Sequence, residues 1–505
     1  MYNRYMDAKS YRHLKSGSDV RGVAVGEKKT LTDEAVLSIS KAFIKWLSLK
    51  YNKACFKIAV GNDSRISAQQ VFRNVKEGIL SSGSDVVYTS LSSTPSMFML
   101  LKNKFLNCDA SVMITASHLP YDRNGLKFFT PEGGLDGKDI DDILTIAERK
   151  DFLSGNGNYF ETSYMDEYSN ELVDIVKNAC GKERPLEGKK IIVDAGNGAG
   201  GFFAEKVLIP LGADVSGSQF LQPDGYFPNH IPNPEDKDAI ESIKQATVKK
   251  GADLGIIFDT DVDRAGAVDQ SGKEINRNRL IALLSAILLK DKKGVIVTDS
   301  VTSDGLKVFI ENLGGKHLRY MRGYRNVIDK CRELNENGVY SPLAIETSGH
   351  AAFLENSYLD DGAYVIVKLL ISLASLKDGE KLTDLISTLP EPAESDEVRI
   401  PFSDTADFRK NGNKVIEDIK RLIKGDKNAS LSEDNFEGVR VNFKKGDGDG
   451  WFLIRMSVHD PIMPVNFESN SKGGNKILAQ KLYALLSPYN FLNTEILNKF
   501  IHNQL

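Results

Sequence analysis

The sequence predicts an α/β protein, with three similar α/β units in series followed by a smaller α+β unit. Two observations carry that expectation. An apolar run that ends in a loop of small polar residues and leads into a helix-like stretch occurs three times: IAV at 58–60 into GNDSR, IIV at 191–193 into DAGNGAGG, and VIV at 295–297 into TDSVTSDG. Continuous Ile/Val runs suit strands buried on both faces, and the loops at the carboxyl ends of such strands are where ligands bind. Their spacing is too long and irregular for a solenoid. The second observation is residues 389–397 (LPEPAESDE), a linker-like mixture of proline and acid beyond which the pattern changes.

Along the chain, SGNGN at 154–158 is a turn-rich break before a polar helix expected at 161–177. The polar stretch 271–279 precedes an apolar helix at 280–289, and GNGAGG at 196–201 is expected to be a tight strand-to-helix turn. After the linker, VRIPF at 398–402, VRVNF at 439–443 and WFLIRMS at 451–457 read as strands. A charged helix is expected near 413–423, and DGDG at 447–450 is a hairpin turn. The expected domains are 1–160, 161–276, 277–390 and 391–505.

The length of 505 residues fits this division, at roughly 100–200 residues per domain. Hydrophobic residues at 41% and charged residues at 27% are ordinary for a globular chain, and the net charge is −4. That balance argues against a nucleic-acid or anionic-membrane binder, which would carry a basic excess. Cys55, Cys108, Cys180 and Cys331 form no CxxC pair, so reduced thiols of a cytoplasmic protein are expected. The N-terminus lacks the apolar core of a secretory signal, and no run of 18 or more apolar residues offers a membrane span.

Four loops hold residue types that could carry chemistry. In TASHLP at 115–120, Ser117 follows a strand-like run and could be a nucleophile or phosphate carrier, with His118 and Lys127 the titratable groups closest in sequence. A Ser/Thr turn closed by Pro120 is the plainer reading of that segment alone. In DTDVDR at 259–264, Asp259, Asp261 and Asp263 alternate after an apolar strand and suit a hard cation with open positions. An EF-hand fails there, because its sixth position would be Arg264 and its twelfth Gln270, and the loop follows a strand. A solvated acidic turn is the competing reading. Arg264 would orient the carboxylates or grip a phosphate. In ETSGH, Glu346, Ser348 and His350 offer groups for sugar hydroxyls, and Arg455 and Ser457 at the end of a strand could share one phosphate.

Together the loops resemble the α-D-phosphohexomutase family of phosphoglucomutases, phosphomannomutases and phosphoglucosamine mutases. The carrying residues are TASHLPYDRNGLKFF, DTDVDRAG, ETSGH and RMSVHDP, with GSDVRG at 17–22, VGNDSR at 60–65 and Thr94-Pro95 also matching. The resemblance implies four domains in a heart shape around a central cleft, with mixed sheets in the first three. It implies that Ser117 carries a phosphoryl group, with Ser117, Asp259, Asp261 and Asp263 around Mg²⁺ and Arg21 and His118 beside them. Lys127 would be the general acid/base. Arg264, Gly323, Tyr324, Arg325, Glu346, Ser348 and His350 would bind the sugar phosphate, and Arg455, Ser457 and His459 the non-transferring phosphate. The implied reaction moves a phosphoryl group between the 1- and 6-positions of glucose or mannose phosphate through a hexose 1,6-bisphosphate. A monomer or homodimer is expected, with no nucleic-acid or membrane partner.

A phosphoserine carries about −1.5 to −2 charges, so a second phosphate beside it needs compensating cations. The family's phosphate loop commonly reads RxSGTEP; here Val458, His459 and Asp460 replace Gly-Thr-Glu, and Pro464 stands where a further Arg is usual. Phosphate binding that leans on His459 would be sensitive to pH. The sugar loop reads Glu-Thr-Ser, which leaves the hexose open. Phosphoglucosamine mutase, a non-catalytic sugar-phosphate binder and a metal-dependent phosphatase are the alternatives.

Overall fold

The computed structural model describes residues 10–103, 105–377, 379–405, 407–457 and 460–504. The chain divides into two compact units: residues up to 280 with 348–384, and residues 281–347 with 385–505.

The first unit contains two sheets. One is an eight-stranded mixed sheet. At its centre Lys57–Asn62 runs parallel to Asp85–Leu91 on one side and to Ala110–Ile114 on the other. Arg123–Thr130 and Asp19–Val23 extend it antiparallel. The parallel strands are buried along most of their length and rich in apolar residues, as suits a sheet covered by helices on both faces. Asp33–Tyr51 buries Val36, Ile39, Phe43, Ile44 and Leu47, a helical spacing, and Thr32 caps its start by accepting from the Ala35 N–H. Ser93 begins Thr94–Lys102 with a capping box.

The second sheet of this unit has the order Glu274–Ile275, Ala265–Asp269, Leu254–Phe258, Ile191–Asp194. Leu254–Phe258 pairs parallel with Ile191–Asp194 and antiparallel with Ala265–Asp269. The GNGAGG turn leads into a single 3₁₀ turn, Ala199–Gly201, and a π-type turn, Phe203–Leu208, where an α-helix was expected. Gly198 explains the close packing there: a Cβ would stand 2.6 Å from the Thr260 carbonyl oxygen, to which the Ala199 N–H donates at 2.8 Å.

In the second unit, Val295–Thr298 lies parallel to both Lys316–Arg319 and Leu343–Ile345. A five-stranded antiparallel sheet follows, ordered Glu394–Pro401, Ile462–Ser469, Gly450–Ile454, Val439–Phe443, Ala429–Leu431. Helices Phe408–Ile423 and Gly474–Leu486 contribute Val415, Ile419, Leu478 and Leu482 to its core, beside Val441, Phe452 and Val465.

Two expectations shift. The linker at 389–397 is half strand, because Glu394–Pro401 is hydrogen-bonded along its whole length to Ile462–Ser469. The helix expected at 161–177 starts at Met165, since Tyr159–Glu161 adds a short strand to the first sheet.

Candidate functional site

The strand Ala110–Ile114 delivers the chain to Ser117, which sits at φ 50° and is buried. Such a conformation is unfavourable for a serine and persists only where its surroundings fix it. Arg65 does the fixing. Its Nη1 donates to the carbonyls of Pro120 (2.7 Å) and Arg123 (3.0 Å), and its Nη2 to those of Leu119 (2.6 Å) and Ser117. Asp63 holds the guanidinium through Nε at 3.2 Å. The planar fork of an arginine is what lets one side chain gather four carbonyls.

The turn between Leu254–Phe258 and Ala265–Asp269 supplies the second part. Asp259, Asp261 and Asp263 are buried, with a carboxylate oxygen from each within 4.8 Å of the others. Ser117 Oγ donates to Asp259 Oδ2 at 2.9 Å, and Arg264 Nη2 donates to Ser117 Oγ at 3.4 Å. Lys127 pairs with Asp263 and, at 3.4 Å, with Asp261; Thr94 Oγ1 donates to Asp261 at 2.5 Å. Among the described residues, Oδ1 of Asp261 and Oδ1 of Asp263 are buried without a hydrogen-bond partner. Burying carboxylate oxygens unpaired is costly, and a hard divalent cation with oxygen preference answers that cost. The donor set therefore fits Mg²⁺.

The electrostatics sort the titratable groups. Burial, with Asp263 and Asp261 beside it, pushes Asp259 well above the carboxylate range. Against its own burial, Asp263 is held below that range by Lys127, His350 and Arg264. Lys127 is also buried, but Asp261 and Asp263 outweigh that and keep it firmly protonated. Burial, reinforced by Arg264 and Arg21, drives His118 down to about 3, so it is neutral at pH 7. His350 moves the other way: burial opposes its charge, yet Asp360 and Asp263 raise it to about 9. Its Nδ1 bonds Asp360, and His350, Asp360 and Asp263 form a second close group. Arg21 pairs with Asp19 at 2.7 Å and reaches the Ala116 carbonyl at 3.5 Å.

The first unit thus gathers Ser117, His118, Lys127, Arg21, Asp259, Asp261, Asp263, Arg264 and His350; Ser348 also belongs to it. Glu346, Arg455 and Ser457 belong to the second unit. There Glu346 accepts from the Gly323 N–H at 2.6 Å, and Thr347 Oγ1 donates to Asp299 at 2.8 Å. Tyr324 and Arg325 open the helix Tyr324–Glu336, and Arg325 turns along it to pair with Asp329 at 3.0 Å. The neighbouring Arg322 instead faces Asp299 at 3.9 Å. Arg455 is buried, its Nη1 3.5 Å from Glu437, and its Nε has no hydrogen-bond partner among the described residues. Ser457 Oγ accepts from the Asp460 N–H at 3.2 Å. His459 lies outside the described residues.

Sequence reasoning missed the roles of Arg65, Asp360, Arg322 and Glu437. Arg65 and Arg322 stood in or one residue outside the recognised motifs. Asp360 and Glu437 carried no local signal, since their partners are separated from them along the chain.

Comparison with known proteins agrees with this geometry. Residues 12–154, 163–272 and 276–393 match, in order, the alpha/beta/alpha domains I, II and III described as Phosphoglucomutase/phosphomannomutase. A phosphoglucomutase of Neisseria meningitidis is 30% identical over 480 residues, covering 94% of this chain and 97% of that protein. A phosphomannomutase/phosphoglucomutase of Pseudomonas syringae pv. tomato is 31% identical over 457 residues, covering 90% of each. Among solved structures, a phosphoglucomutase/phosphomannomutase family protein of Burkholderia thailandensis superposes with a TM-score of 0.80 at 26% identity, covering 95% of this chain and 98% of that one. With the serine loop, the acidic turn and these matches in agreement, the chain belongs to the phosphoglucomutase/phosphomannomutase family of α-D-phosphohexomutases.

Proposed function

We propose that this isomerase moves a phosphoryl group between the 1- and 6-positions of glucose or mannose phosphate, with Ser117 as the carrier and a hexose 1,6-bisphosphate as intermediate. The observation that supports this most directly is the Ser117 hydroxyl on Asp259 and within reach of Arg264, in a turn where Asp261 and Asp263 each keep one buried oxygen without a hydrogen bond among the described residues. Asp259, Asp261, Asp263 and the Ser117 oxygen would hold Mg²⁺, which when bound supplies Lewis-acid stabilisation of charge on the serine oxygen.

The chain's own residues do the rest. Arg65 fixes the loop so that Ser117 Oγ stays in line for transfer. Arg264, which is buried, and Arg21 offset the charge of two phosphates. In the first transfer the bond from phosphorus to Ser117 Oγ breaks, and a bond to the free sugar hydroxyl forms. Lys127, protonated on the acidic turn, is the proposed general acid/base: it gives a proton to the departing serine oxygen and takes the one the sugar hydroxyl loses, so no proton is gained or lost overall. Glu346, Ser348 and His350 would bind the sugar, and Gly323, Tyr324 and Arg325 would set its orientation. Arg455 and Ser457 would hold the phosphate that is not being transferred. The four-domain division at 160/161, 276/277 and 390/391 is part of the same reading, which the three family segments support.

The test is intact mass together with a substrate panel. Incubation with hexose 1,6-bisphosphate is expected to add one phosphoryl mass to the wild-type chain and none to Ser117→Ala. That variant is expected to lose steady turnover of glucose 6-phosphate, mannose 6-phosphate and glucosamine 6-phosphate alike. Normal turnover in Ser117→Ala would exclude the carrier role, and release of inorganic phosphate in place of isomer would identify a phosphatase.

A further inference from the structure

The antiparallel ladder of the second unit brings a carboxylate onto the phosphate-loop arginine. Val439 stands opposite Ile454, so the residues just outside that pair, Gly438 and Arg455, also face each other. Gly438 is at φ 60°, and a Cβ there would lie 2.2 Å from the Ile454 carbonyl oxygen and 2.8 Å from the Arg455 Cα. Glycine is the residue that permits this approach. The approach sets Glu437 against Arg455, with Oε1 3.5 Å from Nη1.

Glu437 is itself anchored. Its Oε2 accepts from Ser300 Oγ at 2.7 Å and from the Arg322 N–H at 3.0 Å. The next N–H along the chain, that of Gly323, donates to Glu346. Two carboxylates therefore pin the loop at 322–323, and one of them keeps its second oxygen for Arg455. Glu397 and Asp299 add further negative charge around Arg455, and Arg322 adds positive charge. A site for a phosphate dianion would gain most from excess positive charge; here Glu437, Glu397 and Asp299 all act against that excess at Arg455.

We propose that Glu437 is a built-in counter-anion of the phosphate loop: it pairs with Arg455, competes with the substrate phosphate for that guanidinium, and so limits how tightly the loop grips. The proposal rests on the reading of Arg455 as a phosphate ligand. The chemistry has a use for a limited grip. A bisphosphorylated sugar must let go of one phosphate position and present its other end, and a site that held either end too firmly would trap it. A carboxylate that returns to Arg455 as the phosphate leaves lowers the cost of letting go, because the buried guanidinium is never left alone.

The experiment compares Glu437→Gln, Arg455→Ala and the double variant by steady-state kinetics with glucose 6-phosphate or glucose 1-phosphate, and with inorganic phosphate as competitive inhibitor. Glutamine keeps an acceptor for Ser300 and Arg322 but removes the charge. Glu437→Gln is expected to lower KM and the inhibition constant of inorganic phosphate together, by about threefold or more, with kcat unchanged or reduced. The gain is expected to vanish in the Arg455→Ala background. Glu437→Asp, which draws the carboxylate back by one methylene, is expected to shift both constants the same way by less, and it serves as the test if the glutamine variant does not fold. A raised or unchanged KM in Glu437→Gln, with Arg455→Ala still impaired, would overturn the counter-anion and identify Glu437 as a loop anchor alone. An unchanged KM in Arg455→Ala would remove the phosphate-loop reading itself, and this proposal with it.

Discussion

Arg65 shows how one buried side chain can decide the shape of the loop that carries Ser117. It is 2% exposed and donates to four carbonyls, of which that of Ser117 is buried and those of Leu119, Pro120 and Arg123 are partly buried. Lysine keeps the charge but cannot span them. A buried group left unsatisfied costs about 1–3 kcal/mol, so Arg65→Lys, which strands the buried Ser117 carbonyl, is expected to lose about 1–3 kcal/mol in denaturant unfolding. A misplacement of about 1 Å at Ser117 is expected to lower kcat roughly 100-fold. His230 makes a pH-dependent contribution at the same scale. Its Nε2 lies 3.0 Å from both oxygens of Asp194 and its Nδ1 2.9 Å from the Ile231 carbonyl, so both nitrogens face acceptors and the imidazolium is favoured. Burial opposes that charge, but Asp194 outweighs it and raises the pKa. The folded state therefore holds its proton to higher pH than the unfolded chain does. The stability His230 supplies is complete below about pH 6.5 and is lost as pH rises through the raised native value. Unfolding curves of wild type and His230→Gln at several pH values are expected to converge as the pH climbs.

At the scale of elements, the expected strands were legible where the apolar run was continuous. IAV, IIV and VIV became the buried cores of Lys57–Asn62, Ile191–Asp194 and Val295–Thr298. The element after GNGAGG was not legible, because its irregular turns are set by contact with the acidic loop and not by local preference. That contact gives a prediction. In Gly198→Ala the new Cβ would meet Thr260 backbone atoms at 2.6 and 2.8 Å, and backbone cannot swing aside. Overpacking of this kind costs about 1–3 kcal/mol. Because the displaced residue lies between Asp259 and Asp261, the Mg²⁺ concentration giving half-maximal activity is expected to rise several-fold in titration of the variant. An unchanged value would show that the loop tolerates the shift.

Over the whole molecule, no helix of the described residues is long and apolar enough to cross a membrane, and the match to the family's three alpha/beta/alpha domains runs from residue 12 to residue 393. A cation held by the acidic turn would stabilise the folded chain, since a ligand bound only by the native state does so by mass action. Saturating Mg²⁺ is expected to raise the melting temperature of wild type by a few degrees and to leave Asp261→Asn nearly unmoved. Chelator is expected to stop turnover until Mg²⁺ is restored.

The amino-acid order alone determined where the strands end in polar loops, which loops carry the serine, the carboxylates and the arginines, and hence the family. It could do so because a strand's burial and its terminal loop are written in adjacent residues. Only tertiary structure decided that Ser117 meets Asp259 across 142 residues, that Lys127 stays protonated while His118 stays neutral, and that Glu437 reaches Arg455. Those outcomes depend on desolvation and on charges brought together by folding, and neither has any signature in local sequence.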